Sequence, residues 1–235
     1  MLLHELAERS SVSVASIKYY RREGLLPPGE RITATRQSYD RRHLDRLGLI
    51  GVLREVAHAS IADIHTLVEV IDDPARPLID ALELAQSIAS GLPAVTHAEP
   101  VPADEDPRVG SLIAALGWPD VGSAPRAALN DLLASMAAAD IPADSDVLLR
   151  YGRPLAEIAH GDIEAMTRAP DPLQQPAGPD VGSPAAPSPD VMVQRVVVGT
   201  ASYGRLVTVL RALGHASLSV ARSRPDHGPP SGREH

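Results

Sequence analysis

The sequence predicts a mainly α-helical protein: an N-terminal winged helix-turn-helix with a small β wing, a candidate dimerisation helix, and an all-helical C-terminal domain. Three observations carry this expectation. Apolar residues recur at three- and four-residue intervals through most of the chain, which is the period of a helix face. One early stretch breaks that period with Gly24, then Pro27-Pro28-Gly29, then a polar, β-tolerant run from Arg31 to Tyr39. Positive charge gathers around the break: Ser16 to Arg46 holds eight Lys/Arg against four Asp/Glu, whereas the residues after Ser60 hold 12 against 23.

Leu3, Leu6 and Ala7 give Leu2 to Arg9 one apolar face, so a first helix is expected there, with His4 as a surface histidine. Ser13 is placed to cap a second, short helix. At 100° per residue Val14, Ile17 and Tyr20 fall on its packing side, and Ala15, Lys18, Tyr19 and Arg22 fall together on another. That second face has what a nucleic-acid backbone needs: cationic heads, a phenol that can donate, and small residues, with Ser13 and Ser16 at the anion-favouring helix start. Gly24 suits the left-handed position that ends a helix, and Leu25-Leu26 return the chain to a core. The following turn and the segment bearing Arg31, Arg36 and Tyr39 read as a wing beside a recognition helix. The plainer reading of the same residues is a solvated basic helix in an ordinary helical domain.

The ordered run Ile17-Lys18-Tyr19-Tyr20, Gly24-Leu25-Leu26-Pro27-Pro28, an Arg-bearing wing ending in Tyr39 and a long helix after it resembles the N-terminal domain of the MerR family of bacterial transcription regulators. The resemblance covers about residues 2–71. It implies a homodimer that distorts double-stranded promoter DNA and so acts on RNA polymerase indirectly. It also implies DNA contacts from Ser13, Ala15, Ser16, Lys18, Tyr19 and Arg22 on the recognition helix and from Arg31, Arg36 and Tyr39 on the wing. Two positions depart from the usual pattern: Ser11 stands where the family commonly has Gly, and Ala34-Thr35-Arg36-Gln37 where it commonly has Asn-Gly-Tyr-Arg.

Beyond the wing, Asp40 is a good cap for a helix to about Val56, with Leu44, Leu47, Ile50 and Leu53 as its stripe. Arg41, Arg42 and Arg46 lie off the stripe and read as solvated arginines or backbone contacts. Ser60 with Asp63 forms a capping box before Ile61, Ile64, Leu67, Val68 and Ile71, closing a domain over residues 1–73. In the segment 74–93, Leu78, Leu82, Ala85, Ala89 and Leu92 follow the seam spacing of a paired helix, and the resemblance implies that such a helix joins two subunits. The seam is barely two heptads before Pro93, so packing on the chain's own C-terminal body stays open as the alternative. Residues 94–107 are acidic and Pro-rich, a linker.

Helices are expected near Leu112 to Leu116, from Ala127 to Ala139, and from Asp144 to Thr167 with breaks at Tyr151-Gly152 and Gly161. Residues 170–190 carry a Pro-rich loop, and a last helix, Val191 to Leu213, is expected as a central buried one because Arg195, Arg205 and Arg211 argue against a membrane span. Residues 108–222 thus read as a helical regulatory domain and 223–235 as a disordered tail. Trp118, Met136, Tyr151, Met166 and Tyr203 could line an apolar cavity for a small hydrophobic effector, or could be plain core packing.

Composition narrows the function classes. There is no Cys among the 235 residues, which excludes disulfides and thiolate metal sites. His160, Asp162 and Glu164 are the nearest approach to a ligand cluster, and helical spacing lets only His160 and Glu164 converge. No phosphate loop, nucleophile elbow or Cys nucleophile occurs, so no cofactor and no enzyme is expected. With no secretory start the reading is cytoplasmic. The competing class, motivated by the altered wing and the net charge of −8, is a ligand-binding or protein-interaction module with weakened DNA binding.

Overall fold

The computed structural model describes residues 1–33, 36–94, 101–168 and 187–223, with only the backbone of 165–168, 221 and 223. In chain order the elements are α1 (Leu3–Ser10), α2 (Val14–Arg22), β1 (Glu30–Arg31), β2 (Gln37–Ser38), α3 (Arg41–Glu55), α4 (Ile61–Asp72), α5 (Leu78–Ala89), α6 (Pro107–Leu116), α7 (Ala124–Ala138), α8 (Ser145–Arg168) and α9 (Pro189–Ser223). The mainly helical reading with a small two-stranded antiparallel wing therefore holds. Of the expected tail (223–235), residue 223 ends α9 and 224–235 lie outside the described residues, as does most of the Pro-rich loop.

The local signals explain the element ends. Ser13 accepts from the Ser16 amide at 3.0 Å to start α2, and Gly24 adopts φ +76° just past its end. Asp40 accepts from the amides of Arg42 and His43 at the head of α3. Ser60 and Asp63 exchange the two bonds of a capping box before α4. Gly117 closes α6 at φ +68°. The expected break of α8 at Gly152 is absent, because a Cβ there would lie 3.1 Å from Leu116 Cδ1: the glycine serves close packing on α6, and the helix runs through it.

Two apolar clusters build the N-terminal head. Leu6, Ile17, Leu26, Tyr39 and Leu47 pack α1, α2 and the wing's end onto α3. On the other side of α3, Leu49, Ile50 and Leu53 join Leu25, Ile64 and Leu67. Ala81, Leu84, Ala85 and Ile88 of α5 enter this second cluster, and so do Val193 and Val197 of α9. The candidate seam of α5 is therefore engaged inside the chain, with Ala85 fully buried and Leu78, Leu82 and Ala89 half-buried on the cluster.

The last helix corrects one expectation. Only its first turns are buried, at Val193 and Val197, while beyond Ala201 its large apolar residues, half-buried Val207 aside, stand in solvent. The physical reason is length: a 35-residue helix at about 1.5 Å per residue outruns the shorter α3 and α5 on which it starts. Burial inferred from apolar content alone held only where a neighbour was present to receive it.

The residue that joins these parts is Arg46. Its guanidinium donates to Asp72 at 2.6 and 3.1 Å, to the Leu25 carbonyl at 3.4 Å, and through Nε to Asp190. It is 4% exposed, which corrects its reading as a solvated or DNA-facing arginine. Burial by itself lowers its pKa, but the hydrogen bonds to Asp72 and Asp190 outweigh that and hold it above the ordinary arginine value. Asp72 is the last residue of α4, where a carboxylate faces the negative helix end, and Arg46 compensates it.

In the remaining part, Val109, Leu133 and Ala143 make a small core among α6, α7 and α8. Arg126 at the start of α7 donates to both oxygens of Glu105 at 2.7 and 2.8 Å. Asp106 caps α6, and hydrogen bonds from the Arg108 side chain and then its amide lower its carboxyl to about 2.

Candidate nucleic-acid interface

The turn between α1 and α2 sets how α2 is presented. Ser11 occupies the left-handed region at φ +57°, and its amide bonds the Glu8 carbonyl at 3.4 Å. An L-residue with a side chain is strained there, and glycine is not, so the family's usual glycine has a local backbone cause. Ser11→Gly should therefore raise stability by about 0.5–1 kcal/mol. A thermal melt checks it: an increase of a few degrees is expected, and a decrease would contradict the strain argument.

α2 rests on Ile17, which is fully buried, and turns Ala15, Lys18 and Arg22 to solvent, with Ser16 and Tyr19 half-exposed. The guanidinium of Arg22 lies 5.3 Å over the Tyr19 ring and donates to Glu23 at 3.3 Å. This holds an exposed cation in place over an aromatic face. Lys18, the chain's only lysine, is exposed and forms no ion pair among the described residues. A cation free of acidic partners is available to a phosphate without first breaking a bond.

The wing is joined to α2 at its end, where Arg21 reaches Tyr39. Glu30 pairs with Ser38 and Arg31 with Gln37, and beyond them the amides of Ile32 and Thr33 donate to the Arg36 carbonyl at 2.9 and 3.2 Å. Arg31 and Arg36 are exposed on it, while Ala34 and Thr35 lie outside the described residues. Gly29 has a structural cause, since a Cβ there would approach the Ser38 carbonyl to 2.6 Å.

Tyr39 is placed differently from the other expected contacts. It is 3% exposed, with its ring edge-on to His43 and its backbone bonded to Met1 at 2.8 Å in both directions. Its hydroxyl accepts from Arg21 Nη1 at 2.9 Å and donates to Gln37 at 3.2 Å. The side chain thus ties α2 to the wing, and Arg21 is a cation that periodicity did not single out. Arg41 and Arg42, at the start of α3, are exposed, and Arg41 pairs with Asp45 at 3.0 Å.

The expected effector residues do not converge in this way. Met136 packs in the small core of α6 to α8, Trp118, Tyr151 and Tyr203 are 43%, 44% and 64% exposed, and the Met166 side chain lies outside the described residues. Arg211 donates to the Tyr151 hydroxyl at 3.1 Å. A cleft of about 630 Å³ opens elsewhere, between α5 and the α6–α7 connection, and Arg76, Asp80, Glu83, Leu84, Ser87 and Val121 are among its lining residues. Among the described residues no three His, Asp or Glu side chains are grouped to hold a metal, and His160 pairs with Glu164 at 3.2 Å on an open helix face.

Residues 1–70 match the family described as MerR HTH family regulatory protein. Among solved structures, the presumed transcriptional regulator SCO5550 of Streptomyces coelicolor A3(2) is similar at 26% identity and a TM-score of 0.55. The similarity covers 97% of this chain and 100% of that one. No curated protein matches the chain significantly.

Proposed function

We propose, from the MerR-type helix-turn-helix domain that residues 1–70 form, that this chain is a transcriptional regulator that binds and distorts double-stranded promoter DNA as a homodimer. The observation that carries the reading is a set of exposed cations on two elements that the Arg21–Tyr39 bond ties together: Lys18 and Arg22 on α2, and Arg31 and Arg36 on the wing. Such a set meets the phosphates on both sides of a groove, and α2 is the element that enters it. The acidic remainder of the chain would stay off the DNA. RNA polymerase is reached through the promoter's altered shape. The similarity to SCO5550 along the chain supports the same class of function.

Control by a small molecule belongs to this reading. An effector would shift the dimer between two arrangements, and only by as much as its affinities for the two differ. An uncharged, hydrophobic organic compound remains the proposed class, and the cleft between α5 and the α6–α7 connection is of a size that holds one.

Because Lys18 is the only lysine, its modification is a direct test of the interface. Reductive methylation of the full chain with and without DNA from its own upstream region should show Lys18 protected by that DNA, and less so by an equal mass of unrelated DNA. Equal modification of Lys18 in the free and DNA-saturated protein would overturn the proposed binding face.

A further inference from the structure

The distal half of α9 carries an apolar seam that stays exposed among the described residues. Tyr203, Leu206, Leu210, Leu213, Ser217 and Val220 follow a 3-4-3-4-3 spacing, the period of a helix that pairs with another. The five large ones are 48 to 64% exposed. Over residues 203–220 the seam is about 27 Å long at 1.5 Å per residue.

The sequence around the seam says what fits it. The positions flanking it are Ser202, Val207, Val209, Gly214 and Ala216, all uncharged. The polar side chains of Arg205, Arg211 and His215 fall away from the seam at 100° per residue, and Arg211 bonds Tyr151 of α8. An identical helix brought onto this face meets small or apolar flanks and no like charge. The chain's own undescribed segments offer little cover by composition, since residues 34–35, 95–100, 169–186 and 224–235 contain only Val95, Leu173 and Val181 as large apolar residues. By length and composition alone α9 also qualifies as a membrane-crossing helix. Arg205 and Arg211 within the same turns oppose that, and its first turns are held in the head by Val193, Val197 and the Asp190 to Arg46 pair.

We infer that a second copy of this chain docks on the distal half of α9, so that α9 rather than α5 is the helix through which two copies join. The inference rests on the homodimeric regulator proposed above and names its contact surface. Since the same helix is fixed at its start to α3 and α5, pairing its far end sets the spacing of the two DNA-binding heads. α5 is then free to serve as part of the head's core, where Ala85 is already buried.

Light scattering on the full chain tests this. Wild type should show twice the 24.8 kDa chain mass, and Leu206→Glu with Leu213→Glu should show the single mass with an unchanged helical signal, because both side chains are exposed in the folded chain. A second measurement does not depend on that variant. In a chain without Cys, Leu210→Cys gives one thiol, and its maleimide labelling should slow at least tenfold as protein concentration rises through the association range. A dimer that survives the double substitution, or labelling independent of concentration, would overturn the inference. So would monomeric wild type that floats with phosphatidylglycerol vesicles, which would give the seam to a lipid surface. A monomer that still shifts DNA selectively sinks the α9 interface and spares the regulator; a stable dimer through α9 that shifts no DNA does the reverse.

Discussion

Arg46→Ala should cost about 3–5 kcal/mol, on the order of 10 °C in the melting temperature of a chain this size. The reason is the company the guanidinium leaves behind. Asp190 sits at 11% side-chain exposure with Arg46 Nε as its partner, and Asp72 ends α4 where the helix dipole opposes its charge. Asp72 is 55% exposed, so Asp72→Ala alone should cost no more than about 1 kcal/mol, as for other solvent-screened pairs. Lysine cannot replace the fork that spans Asp72 and Asp190, and Arg46→Lys should recover less than half the loss. Urea unfolding of the three variants decides the matter, together with hydrogen exchange in α9, which should open first in Arg46→Ala. A loss below 1 kcal/mol for Arg46→Ala would mean that α9 is held by Val193 and Val197 without the ion pairs.

Lys18→Ala and Arg22→Ala, if both side chains meet phosphates, should each weaken DNA binding about tenfold, or roughly 1.4 kcal/mol. Each should also lower the salt slope by about one, because each contact releases about one counterion. Combined, the pair should lose about a hundredfold in affinity on any sequence and about two units of slope, provided the contacts are independent. Both residues are exposed, so the melting temperature should stay unchanged. Arg205→Ala, on the far helix, should leave affinity and slope as they are. Equal losses from Arg205 and Lys18 would trace the effect to folding or dimerisation rather than to contact.

What could be read from the sequence follows from the range of the interactions concerned. The helix α2 was legible because its signals are local: Ser13 caps three residues ahead, Ile17 and Lys18 separate by helical phase, and Gly24 adopts a positive φ that its neighbours do not. Arg46 was not legible, since its partners lie 26 and 144 residues away and its position off the apolar stripe resembles that of any solvated arginine. Tyr39 illustrates a middle case. Its place at the wing's end was readable, but the pleat that turns its ring inward and leaves only the hydroxyl for Arg21 depends on a two-residue pairing register. Apolar content alone could not separate the buried start of α9 from its open end, because burial depends on whether a neighbouring helix reaches that far.

The central claim, that the head formed by residues 1–70 reads DNA, is tested most directly by a gel shift of the full chain against its own upstream region at several salt concentrations. The account predicts a sequence-selective complex at submicromolar protein whose log affinity falls linearly with log salt. No salt-sensitive, selective shift at micromolar protein would contradict it, and would leave the acidic chain as an interaction module that keeps the winged fold without its DNA.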